Sequence, residues 1–294
     1  RFIEMFELAL AEQKMDEVIK RLEKMGEEQA AIVEELAQDD NLDMTVMASR
    51  ERRQEESFKT LEDVIDEAAT SMEELSPEAS QQLSDLADSE LTESTLLDLN
   101  DARDKMQNQN QSSASKAASD ASDGLQEMLE IAQDIQSDFQ EDTVDEMLRK
   151  FLALIRNLLF ISQSQEELVI ATQGLRSRSP NLLHVAVKQD HLIRENQQFM
   201  LQLTELSRQT FHISPEIASA IGKTKISMDR AIAKLEQKQI SPAKLQMNKA
   251  LQGLNQTAYL LLESANQMQM SGSGSGFAQF MEQMQQISQA QQGI

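Results

Sequence analysis

The sequence predicts an all-α protein: a long antiparallel helical hairpin or coiled-coil arm joined to an up-and-down helical bundle. Three observations carry that expectation. Only 9 Gly and 4 Pro occur among 294 residues, about a third of ordinary usage, which leaves too few turn formers for a β-sandwich or barrel. All four prolines follow a serine, at Ser76-Pro77, Ser179-Pro180, Ser214-Pro215 and Ser241-Pro242. A serine N-cap accepts bonds from first-turn amides, and a proline at the first helical position lacks the amide that would go unpaired there. Finally, apolar residues recur at alternating steps of three and four, the period of a helix packed on other helices.

The elements follow in order. Leu8, Ala11, Met15, Val18, Leu22, Met25, Gln29, Ile32 and Leu36 form one unbroken seam with a single polar member, predicting a first helix of about 35 residues. Asp39-Asp40-Asn41 breaks it. A second helix from about Met44 to Leu75, with Leu61, Ile65, Ala68, Met72 and Leu75 inward, would fold back as an antiparallel hairpin. The stretch Gln107 to Gly124 is almost entirely polar or small, yet Ala114, Ala118, Ala121, Leu125, Met128, Ala132, Ile135 and Phe139 keep the seam running. It is therefore expected to be a helix with a thin, alanine-lined contact face rather than a linker.

In the second half the seams thicken. Val144, Met147, Leu148, Phe151, Leu152, Ile155, Leu158, Leu159 and Ile161 cover more than one stripe, predicting a helix buried among several neighbours. Leu182, Val185, Ala186, Leu192, Ile193, Phe199, Met200, Leu203 and Leu206 follow Ser179-Pro180. Ile217, Ile221, Thr224, Met228, Ala231 and Leu235 follow Ser214-Pro215, and Met247, Leu251, Leu254, Ala258, Leu261, Ala265 and Met268 follow Ser241-Pro242. Four helices with short connections make an up-and-down bundle. Ser-Gly repeats at 271–276 are expected to be a flexible link into a last helix rich in Gln and Met. The expected division is an acidic long-helix arm (1–140), a helical bundle (141–270), and the Ser/Gly link with its tail helix (271–294).

Charge is unevenly placed. Residues 1–150 carry 14 basic and 40 acidic side chains, net −26, whereas 151–294 carry 13 and 10, net +3. The acidic half would repel nucleic acid and anionic lipid. With no Cys there is no disulfide framework and no thiolate zinc site. The most apolar stretch, Phe151 to Ile161, is interrupted by Arg156 and Asn157 and falls short of the roughly 20 residues of a membrane span. The chain begins with Arg1 in mid-pattern and stops at Ile294 inside a glutamine-rich run, as a piece of a longer parent would.

No pattern assembles a reaction centre. Gly222-Lys223-Thr224 imitates the end of a phosphate-binding loop, but the position that must be glycine is Ile217, inside a marked helix. His184, His191 and His212 lack the i+3 or i+4 partners of a metal site. Glu166 and Glu167 are neighbours that point apart on a helix. The runs Asp39-Asp40-Asn41-Leu42-Asp43 and Asp98-Leu99-Asn100-Asp101 hint at calcium without the glycine or spaced glutamate of a helix-loop-helix site. The methionines fall mostly on seams, with Met268, Met270, Met281 and Met284 flanking the glycine link. Lys223, Arg230, Lys234 and Lys238 form a basic strip expected to face acidic helices. The expectation is a non-enzyme with no catalytic, cofactor-binding or metal-binding residues, no small-molecule substrate, and protein partners or self-association.

The strings Leu148-Arg149, Asn157-Leu158-Leu159-Phe160-Ile161-Ser162-Gln163, Gln165-Glu166-Glu167-Leu168, Ser214-Pro215-Glu216-Ile217 with Ile221-Gly222, then Leu251, Leu254 and Asn255, and Gly272-Ser273-Gly274-Ser275-Gly276-Phe277 with Gln291-Gln292-Gly293 resemble the C-terminal region of a family of large bacterial envelope proteins, a domain of unknown function. The resemblance covers about residues 145–294. It implies a parent tethered by transmembrane helices outside this segment, an extracytoplasmic helical region, and no site residues to carry over. A structural or scaffolding role in the cell envelope is the function it implies; a helical adaptor, in the envelope or the cytoplasm, that clamps a partner helix or peptide in an apolar groove is the alternative.

Overall fold

The computed structural model describes residues 3–38 and 42–292, which form nine helices and no strand among the described residues. They are α1 (Ile3–Gln38), α2 (Met44–Met72), α3 (Pro77–Ala87), α4 (Glu90–Gln107), α5 (Gln111–Ala171), α6 (Asn181–Leu206), α7 (Pro215–Glu236), α8 (Ile240–Ser271) and α9 (Phe277–Gln292). The protein is all-α. The expected break at Asp39-Asp40-Asn41 lies outside the described residues.

Local chemistry accounts for the helix starts. Asp43 caps α2, accepting from the amides of Thr45 at 2.9 Å and Val46 at 3.4 Å. Ser76 and Ser89 do the same for α3 and α4. At α7, Ser214 precedes Pro215 as expected, and the Glu216 carboxylate accepts from its own amide and from Ser214, which holds it below the usual carboxylate range. Two Ser-Pro pairs mark their helices less closely. The α6 helix begins one residue after Pro180. The α8 helix begins at Ile240, so Pro242 takes its third position. No bond is lost there, because the first four amides of any helix lack an internal acceptor. The polar stretch is helical from Gln111, and its alanine seam at Ala114, Ala118 and Ala121 is fully buried.

The chain divides into two compact units, Glu7–Asp142 and Arg1–Phe6 with Thr143–Ile294. In the first, the acidic unit, α2 packs against both α3 and α4. Its main core joins Met15 and Leu22 of α1, Phe58 and Ile65 of α2, Leu83 of α3, Leu99 of α4, and Leu125 and Phe139 of α5. The first two helices pair antiparallel, Lys14 of α1 meeting Glu67 of α2 and Glu35 meeting Arg50, and the helices after Pro77 add an apolar stripe of their own to the same core. A second cluster, including Ile32, Leu36, Met47, Met106 and Ala114, lies further along the same helices.

In the second unit, Phe151 and Leu158 of α5, Phe199 of α6, Met228 of α7, and Leu254 and Leu261 of α8 share one core. A three-residue turn joins α7 to α8, which makes them antiparallel neighbours. They approach closely where Gly253 faces Thr224; a Cβ at Gly253 would overlap the threonine hydroxyl. Two polar links cross this core. The amides of Gln165 and Gln189, both fully buried, bond each other reciprocally at 3.1 and 3.0 Å. The Ser162 hydroxyl donates to Asn255 Oδ1 at 2.5 Å.

The two glycines of α7 and α8 should respond oppositely to the same change. Nothing lies within 4 Å of a Cβ built on Gly222, so Gly222→Ala is expected to stabilise the protein by about 0.5–1 kcal/mol through helix propensity. Gly253→Ala should destabilise it by about 1–3 kcal/mol through overpacking, with most of the loss recovered in Gly253→Ala/Thr224→Ala. Urea unfolding of the four proteins measures all three effects.

Candidate functional site

The sequence predicts that the wide apolar surface of the segment 144–161 is buried on several sides. One stripe of it is. Phe151, Leu158 and Ile161 are buried, but Leu152 (49%), Leu159 (51%) and Phe160 (61%) are exposed. The reason is geometric: α5 has neighbours on one side only within this unit, and a second stripe at the same helical spacing faces outward. Two other helices share the feature. On α6, Leu183, Val187 and Leu201 lie on one outward line, and on α8, Leu245, Tyr259 and Met270 do. Of the large apolar side chains exposed among the described residues, only Leu10, Val46, Leu97 and Ile131 belong to the acidic unit. Residues 7–142 carry net −26 and the remainder net +3, so the outward apolar lines are concentrated on the unit with little net charge.

Between α5 and α6 the outer surface is hollowed. Two cavities, of about 190 and 170 Å³, share Phe160 and Glu195. Ile161, Leu168, Leu192 and Phe199 form their apolar walls, and Asn157, Glu167, Lys188, His191 and Gln202 their polar margins. Glu195 receives His191 Nε2 at 3.1 Å on one carboxylate oxygen, while the other is buried with no hydrogen-bond partner. An apolar floor with a few fixed polar groups suits a protruding side chain of another helix.

The Ser/Gly segment at 271–276, expected as a flexible link, is instead tied down. Gly272 closes α8 in the left-handed conformation, its amide donating to Met268 O at 3.1 Å. The Ser275 carbonyl accepts from the Phe211 amide at 2.7 Å and from the Thr210 hydroxyl at 3.1 Å. His212 Nε2 donates to Ser273 O at 3.1 Å. Glycine is required at 276 because φ is +71° and a Cβ would stand 2.7 Å from the His212 ring. Phe211 then stacks on Phe280 at 4.7 Å between centroids and meets Phe277 and Phe6 at 5.5 and 5.6 Å. Periodicity could not reveal this, since Thr210, Phe211 and His212 lie in a connection with no seam. Met268 is buried, whereas Met270, Met281 and Met284 are exposed.

The remaining sequence candidates sit as follows. Gly222-Lys223-Thr224 lies inside α7, with the Thr224 hydroxyl bonded to Ala220 O at 2.9 Å. His184 and His191 are exposed and His212 is buried. Asp98, Asn100 and Asp101 lie within α4. Partial burial, then Asp120 and Asp101 nearby, push Asp98 above the usual carboxylate range. Among the described residues no three His, Cys, Asp or Glu side chains are grouped to hold a metal ion, and no helix is long and apolar enough to cross a membrane. Of the basic strip, Lys223, Arg230 and Lys238 are exposed and Lys234 half-buried, donating to Gln237 at 3.2 Å. The run beginning at Asp39 falls partly outside the described residues. No family model, no curated protein and no solved structure matches the chain.

The aromatic stack predicts how α9 is held. Phe211→Ala should release it, seen as much faster proteolytic cleavage around residues 273–280 while the core helices stay resistant; unchanged protection would exclude the stack as its clamp. Acid should act the same way. Burial lowers the His212 pKa from 6.5, despite the Ser273 carbonyl that raises it. The neutral ring thus contributes stability that is complete above pH 6.5 and is lost as pH falls through the lowered folded value.

Proposed function

We propose that this chain is a non-catalytic structural or scaffolding segment of a bacterial cell-envelope protein, working through helix–helix contacts made by the outer faces of α5, α6 and α8. One observation carries the reading: three helices of the near-neutral unit each display a second apolar line at helical spacing, with side chains as exposed as Leu183 (73%) and Leu201 (66%). Exposed large apolar side chains on one face mark contact sites, and low net charge removes the repulsion that a second acidic body would meet. The envelope setting rests on the resemblance of residues 145–294. The hollow between α5 and α6 favours a second reading, an adaptor that seats one face of a partner helix there.

Sedimentation velocity of the full chain over micromolar concentrations tests the first reading. Wild type should self-associate, and Leu183→Lys/Leu201→Lys should weaken association by at least about 100-fold, since each burial contributes roughly 1.5–3 kcal/mol. A chain that stays monomeric throughout removes self-association. The setting is tested separately. Because the chain has no Cys, Ser219→Cys gives these 294 residues one labelling site, on an exposed position of α7. A membrane-impermeant maleimide should reach it once the outer membrane alone is opened; labelling only after inner-membrane lysis would place it in the cytoplasm.

A further inference from the structure

The core of the acidic unit contains a carboxylate that forms no ion pair among the described residues. Glu51 on α2 is 0% exposed. The neighbouring Arg50 directs its guanidinium to Glu35 at 2.7 Å. The next acid along, Glu55, is served by Arg103 of α4 and by Lys59 at 2.6 Å. From α1 the buried residues at this level are Met25, Gln29 and Ile32, and from α5 they are Ala114, Ala118 and Ala121; none is titratable. What faces Glu51 is the amide of Gln29, also 0% exposed, whose Nε2 donates to Glu51 Oε1 at 3.0 Å and to Ala118 O at 3.3 Å. The two remaining oxygens of this pair, Glu51 Oε2 and Gln29 Oε1, are both buried and both without a donor among the described residues, as is Gln54 Oε1 three residues further along α2. Two such acceptors are costly in a dry core. One proton between Glu51 Oε2 and Gln29 Oε1 satisfies both.

We propose that Glu51 stands in the folded protein as the neutral acid, its Oε2–H donated to Gln29 Oε1, and that this proton locks α1, α2 and α5 together where the two apolar clusters of the acidic unit meet. The resulting acid–amide pair has the same reciprocal bonding as the Gln165–Gln189 pair of the other unit. The proton comes from water and returns to it, leaving a buried carboxylate opposite a carbonyl oxygen, so the layer loosens as pH rises. Burial pushes Glu51 up to about 7 from 4.5, outweighing the Gln29 donor and the Arg50 charge that lower it. Because the folded value is raised, the folded state holds one more proton than the unfolded state between those two values. The stabilisation is therefore complete below about pH 4.5 and is lost by the time pH has risen through about 7.

Urea unfolding of the full chain and of Glu51→Gln, across this pH range, tests the proposal. The substitution places an amide N–H where the O–H stands and removes the titration, while all other carboxylates cancel in the comparison. The unfolding constant of wild type relative to Glu51→Gln should rise on the order of 100-fold from the acid to the alkaline end. A ratio independent of pH would overturn the proposal. Carboxyl carbon NMR of the wild-type chain gives a reading that needs no variant to fold. A buried glutamate titrating near neutrality is expected, and none titrating above pH 5.5 would overturn it. Amide exchange at residues 32–36, 47–51 and 114–118, corrected for intrinsic rates, should accelerate above neutral pH in wild type only.

Discussion

The width of the apolar stripe on each helix is the constraint from which the rest of the structure follows. A helix of three-four spacing lays its apolar side chains along one line, and a unit of four or five helices offers each helix one core to face. On α1 and α7 most of that line meets the core, and the large apolar side chains left outside are Phe6 and Leu10 on α1 and Ile226 on α7. On α5 line and core do not match. Its second half carries two lines, the core of Phe151, Leu158 and Phe199 takes one, and Leu152, Leu159 and Phe160 remain outside. With Leu183, Val187 and Leu201 of α6 they make six large side chains whose burial would contribute on the order of 10 kcal/mol. That is comparable with the cost of bringing two bodies together, which is why the proposed contacts are placed on these faces.

Apolar seams alone set packing but not alignment, because a heptad-like repeat fits equally well when slid by one repeat. Buried polar pairs remove that freedom, since a misaligned amide would be left unpaired in a dry core. Gln165 with Gln189 fixes α5 against α6, and Ser162 with Asn255 fixes α5 against α8. Gln29, with bonds to Glu51 and the Ala118 carbonyl, does so for three helices of the acidic unit. The close approaches work alongside them: Gly124 under Thr95 and Gly253 under Thr224 admit no side chain.

Charge separates the two units by chemistry. The acidic unit has ion pairs such as Lys14–Glu67 and Arg50–Glu35, but exposed pairs contribute little, and they leave the net −26 in place. Like charges of that number repel one another across water at low ionic strength. The other unit, near neutrality and lined with outward Leu, Val and Tyr, lacks that repulsion, which is why the proposed contacts are assigned to it.

The sequence by itself determined the class, several helix starts and the buried seams of α1, α5, α6, α7 and α8, because these depend on local capping and on a period that the backbone imposes; the buried Leu83 and Leu86 of α3 and Leu99 and Met106 of α4 were not read from it. Even the alanine-lined seam from Ala114 to Phe139 was legible inside a stretch of linker-like composition, and Gln29 stood out as its neighbour seam's one polar member. Three things required the tertiary structure. Whether the second stripe of α5 is covered depends on how many helices surround it, and periodicity counts faces, not neighbours. The polar partner of Gln29 could not be chosen among many glutamates, since burial selects Glu51 only after α1, α2 and α5 are aligned. The Ser/Gly segment looked free because its partners, Thr210, Phe211 and His212, are some sixty residues away, and glycine's lack of a side chain, usually a sign of mobility, here permits the close contact that holds it.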